Sequence, residues 1–185
     1  MPDEAALQRL LDRQEIEDCL LRYTRALDRG DWEQMALAYH EDALDDHGYF
    51  VGRGQDLVKW SAAFRKDNPD ISVVRHVLSN HSIEFDGTET AHVETYYTNE
   101  TVLFGEKPVM RISLGRYIDR FERRAGEWRI AARVCTVEAT GQCDYVPLDE
   151  KSGFASGRRD KSDISYERPL NVKRPLTDKF IGPNF

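Results

Sequence analysis

ISVVRHVLSNHSIEF, residues 71–85, is the stretch whose reading decides the fold. Upstream of it, apolar residues recur at helical spacing. From here on the chain runs in extended segments rich in Val, Ile, Thr, Tyr and Phe. Three more follow: TAHVETYYTNETVLF (90–104), VMRISLGRYIDRFER (109–123) and WRIAARVCTVEAT (128–140). Segments of that composition, bounded by turn residues, read as β-strands. Asp86-Gly87 and Ala125-Gly126 supply two turns, and Gly105 with Pro108 marks the third. Short connections between long neighbouring strands predict an antiparallel meander.

Toward the N-terminus, Leu7, Leu10, Leu11, Ile16, Cys19, Leu20, Tyr23 and Leu27 recur at helical spacing. They predict an amphipathic helix over residues 3–28 with one buried face. It stops at Asp28-Arg29-Gly30. Asp31, followed three residues later by Gln34, forms a capping-box pattern. The second helix it opens runs through Trp32, Met35, Ala36 and Tyr39. ALDDHGYFVGRG (43–54) reads as a short strand and turn. GQDLVKWSAAFRKD (54–67) reads as a third helix, broken by Asn68-Pro69-Asp70. Helices first and a strongly bent antiparallel sheet second is an α+β layout. A curled sheet packed on helices by one face makes a cone with an internal cavity.

These elements account for residues 1–144 as one domain. Residues 145–185 are rich in Gly, Pro, Ser and charge and carry no sustained period, so they read as an extended arm. Phe154, Tyr166, Leu170, Phe180 and Ile181 are its candidate anchors, on its own barrel or a neighbouring subunit. The chain of 185 residues is 40% hydrophobic, enough for one core, and no apolar run approaches the ~20 residues of a membrane span. The acidic start MPDEAALQRLLDRQEIED lacks the basic and apolar regions of a secretory signal. Cys19, Cys135 and Cys143, odd in number and irregularly spaced, read as reduced thiols of a cytoplasmic protein. A net charge of −7 with no basic stripe argues against nucleic acid.

Two residues carry the chemistry. Asp28 stands where the first helix ends, a place that disfavours negative charge, while Asp31 already serves the next helix. His76 lies in a later strand among Val73, Val74, Val77 and Leu78. A carboxylate that orients an imidazole is an acid–base device, and a helix and a sheet let the two meet in a pocket. Tyr23 sits on the apolar stripe, as core or as a pocket phenol. Glu100 is in phase with Tyr96 and Thr98, so it points either into the cavity or into solvent. The cluster His40-Glu41-Asp42…Asp45-Asp46-His47 matches no tight metal-ligand spacing; it reads as a solvated helix-to-strand loop, and no metal site is expected.

The order of elements and the local sequences resemble the SnoaL-like branch of the nuclear transport factor 2 (cystatin-like) superfamily of cone-shaped α+β barrels. The carrying motifs are RYTRALDRGDW, YHEDA, HVLSNHSIEF and the final hairpin RYIDRFERRAGEWRI, and the resemblance spans residues 5–140. In the dehydratase and dehydrochlorinase members, Asp28 and His76 fall on the Asp–His dyad; Tyr23 falls on a tyrosine that the bile-acid dehydratase members place near the departing hydroxyl, and it replaces a pocket lysine of the dehydrochlorinases. Glu100 falls on a pocket aspartate and Arg133 on a pocket arginine. The resemblance implies a cofactor-independent lyase of dehydratase type. His76, Asp28 and Tyr23 are its catalytic residues. Glu100, Tyr117, Arg133, Trp60 and Tyr96 contact a small hydrophobic cyclic or aromatic hydroxylated substrate. Isomerase, cyclase or formaldehyde-releasing chemistry would use the same dyad. The fold also serves as the non-catalytic small subunit of ring-hydroxylating dioxygenases. Homo-oligomers are implied, a trimer favoured over a dimer.

Overall fold

A computed structural model describes residues 3–104, 106–149 and 153–174. Gly105 of the third turn, and Phe180 and Ile181 of the arm, lie outside the described residues. Helix α1, Glu4–Arg29, is capped by the Asp3 side chain and closed by Gly30, whose φ of +64° only glycine adopts without strain. The leucine stripe is corrected over its first turns: Leu7, Leu10 and Leu11 are exposed. Arginines face the sheet there instead. Arg9 lies over the Phe85 ring and Arg13 donates to the Ile83 carbonyl at 3.2 Å. The buried face runs from Asp12 through Ile16, Cys19, Leu20 and Tyr23 to Asp28.

Helix α2 is short, Trp32–Ala36. Tyr39, expected on that helix, opens strand β1 (Tyr39–Asp46) and is fully buried. Asp31 holds the N-cap position but makes no capping bond. Its ψ of 78° departs from the extended geometry a capping side chain needs. The Tyr166 hydroxyl donates to its carboxylate instead, at 3.0 Å. Strand β2, Val51–Arg53, pairs antiparallel with β1, and helix α3 (Gly54–Asp67) follows.

The meander is as the alternation predicts: β3 Ile71–Asp86, β4 Thr90–Leu103, β5 Val109–Arg124 and β6 Glu127–Asp144, each antiparallel to the next. At the β5–β6 hairpin Ala125 and Gly126 both take positive φ, the primed turn that matches strand twist. What the alternation does not contain is the parallel pairing of β1 to β6. It extends the sheet to six strands in the order β2-β1-β6-β5-β4-β3 and leaves the cone unclosed. Register shifts at Leu114/Gly115 and Leu78/His81 bend the long strands. Gly115 is required at its bend, because a Cβ there would lie 1.9 Å from the Thr136 carbonyl oxygen.

The concave face packs on α1. Ile83, Ala91, Val93, Tyr97, Tyr117, Phe121 and Ile130 meet Ile16, Cys19, Leu20 and Tyr23 in one core. Beyond β6 the arm returns to the end of α1. Arg25 lies over Tyr166, Arg29 faces Asp163 at 3.6 Å, and Arg159 donates to the carbonyls of Asp28 and Ile71. Among the described residues no helix is long and apolar enough to cross a membrane.

Candidate functional site

Asp28 and His76 meet where the last turn of α1 rests on β3. The His76 ring Nδ1 lies 2.6 Å from Asp28 Oδ1, and the His76 backbone N–H donates to Oδ2 at 3.0 Å. Both carboxylate oxygens are therefore engaged by one residue, which fixes the ring. The side chains are 8% and 12% exposed. A carboxylate can only accept, so Nδ1 carries a proton, and in the neutral ring the lone pair is on Nε2. Nε2 faces Asn99 Nδ2 at 3.1 Å, and Thr101 Oγ1 donates to Asn99 Oδ1. Asn99 sits opposite His76 in the β3–β4 ladder and so shares its face. Counting across the hairpin from its turn would set Glu100 opposite His76; the register shift at Leu78/His81 brings Asn99 there instead, so the spacing alone does not point to it.

A second His–Asp pair lies on the same concave side and was missed. Asp45 and His47 are two residues apart on an extended segment, so they share one face. The D-x-H spacing was the available signal, hidden inside an acidic stretch that reads as solvated. It is not solvated: Asp45 is 1% exposed and the His47 side chain 9%. His47 Nδ1 bonds Asp45 Oδ1, and the Tyr39 hydroxyl donates to Oδ2 at 2.6 Å. His47 Nε2 lies 3.4 Å from the Tyr23 hydroxyl. Burial alone would strip the His47 proton, but the bond to Asp45, helped by Cys135, outweighs it and lifts the pKa to about 9. This imidazole is a cation at neutral pH.

Tyr23 thus meets His47, and its environment is aromatic. It makes edge-on contacts with Tyr39 and Tyr117, each at 5.8 Å between centroids, and burial pushes its phenol well above the usual range. Tyr117 stacks on Tyr97 at 4.5 Å. Arg133 is buried between the rings of Tyr23 and Tyr117, at 4.4 and 4.0 Å from their centroids. It makes a bidentate pair with Asp119, both bonds 2.7 Å. Burial opposes its charge, but Asp119 outweighs that and holds the guanidinium above its ordinary value. Its charge is already matched inside the protein rather than left free for a ligand.

Two expected pocket residues are on the other face. Glu100 opposes Arg75 rather than His76 and pairs with it; Tyr96 lies under Arg116 and is 42% exposed. The phase linking Glu100 to Tyr96 holds, but adjacent strand residues point to opposite faces, and Asn99 and Tyr97 take the concave one. Trp60, on α3, is partly exposed and stacks between Tyr49 and Phe64 at 5.0 Å from each, with Tyr49 beside His47.

The fold and these pairs define a class: an α+β cone whose concave face carries buried His–Asp pairs, one of them at the helix–sheet seam. The chain belongs to the SnoaL-like domain family, whose model matches residues 8–134. An uncharacterized protein of Mycobacterium tuberculosis is 30% identical over 128 residues, covering 68% of this chain and 84% of that protein. Among solved structures, a candidate scytalone dehydratase from Novosphingobium aromaticivorans superposes with a TM-score of 0.64 at 23% identity, over 82% of this chain and 99% of that one. A hexachlorocyclohexane dehydrochlorinase from Novosphingobium barchaimii gives 0.64 at 19%, over 77% and 99%. The beta subunit of a candidate aromatic-ring-hydroxylating dioxygenase, also from Novosphingobium aromaticivorans, gives 0.58 at 23%, over 71% and 92%. At these identities the structural likeness speaks to fold, and it spans enzymes and a subunit alike.

Proposed function

We propose that this protein is a cofactor-independent lyase of dehydratase type acting on a hydrophobic cyclic or aromatic hydroxylated compound. The observation that carries the reading is the double engagement of Asp28 by His76, which leaves Nε2 as a fixed base. In the proposed reaction a substrate C–H takes the place of the Asn99 amide, and His76 Nε2 removes the proton. Asp28 stabilises the imidazolium that forms. The C–O bond breaks and the departing hydroxyl takes a proton from Tyr23. Tyr23 on its own is a poor acid, since burial raises its pKa. His47, protonated and in contact with the Tyr23 hydroxyl, replaces that proton. Isomerisation, cyclisation or loss of formaldehyde would begin with the same abstraction.

The test is a panel of hydroxylated cyclic and aromatic compounds, scored for loss of water by mass spectrometry, followed by His76→Ala and Asp28→Asn on whichever compound turns over. Loss of a general base lowers turnover by about 10²–10⁴-fold. Turnover close to wild type in both folded variants contradicts the assignment.

One observation favours a second reading, a binding subunit without catalysis. The Asn99 amide occupies the lone pair of His76, and tyrosines fill the concave face beyond it. In that reading the Asp28–His76 pair is a tie between α1 and β3. It predicts no turnover of any compound, and a melting temperature that falls in His76→Ala.

A further inference from the structure

Next to the Asp28–His76 pair, an open cleft of about 600 Å³ runs between the end of α3, the start of β3 and the returning arm. That volume suits a small ligand. Its walls carry Arg65, Lys66 and Arg159. Among the described residues none of these three forms an ion pair with a carboxylate. Among the described residues Arg65 and Arg159 donate to main-chain carbonyls, of Arg29, Asp28 and Ile71. Asp160, the carboxylate on the rim, accepts from the backbone and hydroxyl of Ser162 in its own turn and attracts Arg65 without an ion-pair contact, so one carboxylate faces three cations. The cations are crowded: burial, and then the neighbouring charge of Arg65, lower Arg159 to about 10. Ser72 Oγ, another lining residue, is buried without a hydrogen-bond partner. Trp32 and Ile71 supply an apolar wall.

Two guanidiniums without an ion-pair contact, an ammonium and an orphaned hydroxyl around one cleft, in excess over its one carboxylate, are the complement of an oxyanion. We propose that this cleft binds the carboxylate, sulfate or phosphate of an amphipathic ring compound. Arg159 joins the cleft to the dyad, since its Nε bonds the main chain of Asp28 itself. If the dyad is catalytic, as proposed above, the substrate is an anionic ring compound, its charge in the cleft and its ring toward His76. The arm then contributes a substrate-binding residue.

The experiment is isothermal titration of 2-naphthoate and of neutral 2-naphthol into wild type, Arg65→Gln, Arg159→Gln, Lys66→Gln and His76→Ala. Wild type is expected to bind naphthoate at least about tenfold more tightly than naphthol, the scale of one charge-assisted hydrogen bond. Arg65→Gln and Arg159→Gln should lose that preference while naphthol binding stays the same, and Lys66→Gln should weaken it. Because Lys66 is exposed and touches little, that variant keeps the test alive if an arginine variant melts early. His76→Ala should retain the preference. Equal affinities, no binding of either compound, or a preference indifferent to the cation variants overturns the anion site. A preserved naphthoate preference beside normal turnover in His76→Ala would instead overturn the lyase reading and leave the cleft standing.

Discussion

The two His–Asp pairs of this molecule use the same side chains in opposite settings. Asp28 and His76 are 48 positions apart and join a helix end to a strand. Asp45 and His47 are two apart on one extended segment. At the first pair the free ring nitrogen meets an amide donor, so it is held as an acceptor. At the second it meets a buried phenol, and the ring keeps its proton to about pH 9. In the proposed reaction one chemical unit serves as the base at the helix–sheet seam and as the acid within the aromatic interior. The two rings are equally buried; what separates them is the group facing Nε2 and the deeper burial of the Asp45 carboxylate.

The largest expected effect on stability sets the pairs against each other directly. Asp45→Asn leaves His47 and the Tyr39 hydroxyl without their charged partner in a sealed site. It should cost about 3 kcal/mol or more in urea unfolding, the scale for breaking a buried pair. Asp28→Asn keeps an amide oxygen for one of the two His76 bonds and should cost about 1–2 kcal/mol. Equal losses would mean that burial does not distinguish the pairs.

The pH dependence sharpens the same contrast. The folded pKa of His47, about 9, lies above its ordinary 6.5. The stabilisation it brings is thus complete below pH 6.5 and is lost as pH rises through 9, on the order of 3 kcal/mol in all. Urea midpoints between pH 6 and pH 10 should fall in wild type. In His47→Gln they should be flatter over that window. Smallest of all are changes on the convex face. Glu100→Gln and Tyr96→Ala should shift the melting temperature by no more than about 2 °C, and neither should alter ligand binding. A loss of binding in either would return that face to the site.

The sheet was legible because four long segments rich in β-branched and aromatic residues end at clear turns. Their faces were not, since alternation links Glu100 to Tyr96 without saying which side meets the helix. The seam supplies that information: Asp28 selects the face of His76, and His76 selects Asn99. Asp31 was misread for a different reason. Its partner, Tyr166, lies 135 positions away in the arm, beyond the reach of a local capping pattern. Tyr39 was placed on a helix because the strand it opens is parallel to β6, and no neighbouring segment announces such a pairing. The Asp119–Arg133 pair was out of reach, because counting outward from the Ala125-Gly126 turn sets Asp119 opposite Ala132, and the register shift at Arg120/Phe121 is what brings Arg133 beside it. The acidic composition around Asp45 hid a buried pair that its two-residue spacing alone reveals.

The central claim, that Asp28 and His76 act as one proton-abstracting unit, is tested most directly by a double-mutant cycle. Turnover of an active compound is measured for wild type, His76→Ala, Asp28→Asn and the double variant, each shown to be folded. Residues that act as a unit are strongly non-additive. The account predicts that the double variant is no slower than His76→Ala alone, both about 10²–10⁴-fold below wild type. Losses that multiply across the two positions, or no loss at either, would contradict it.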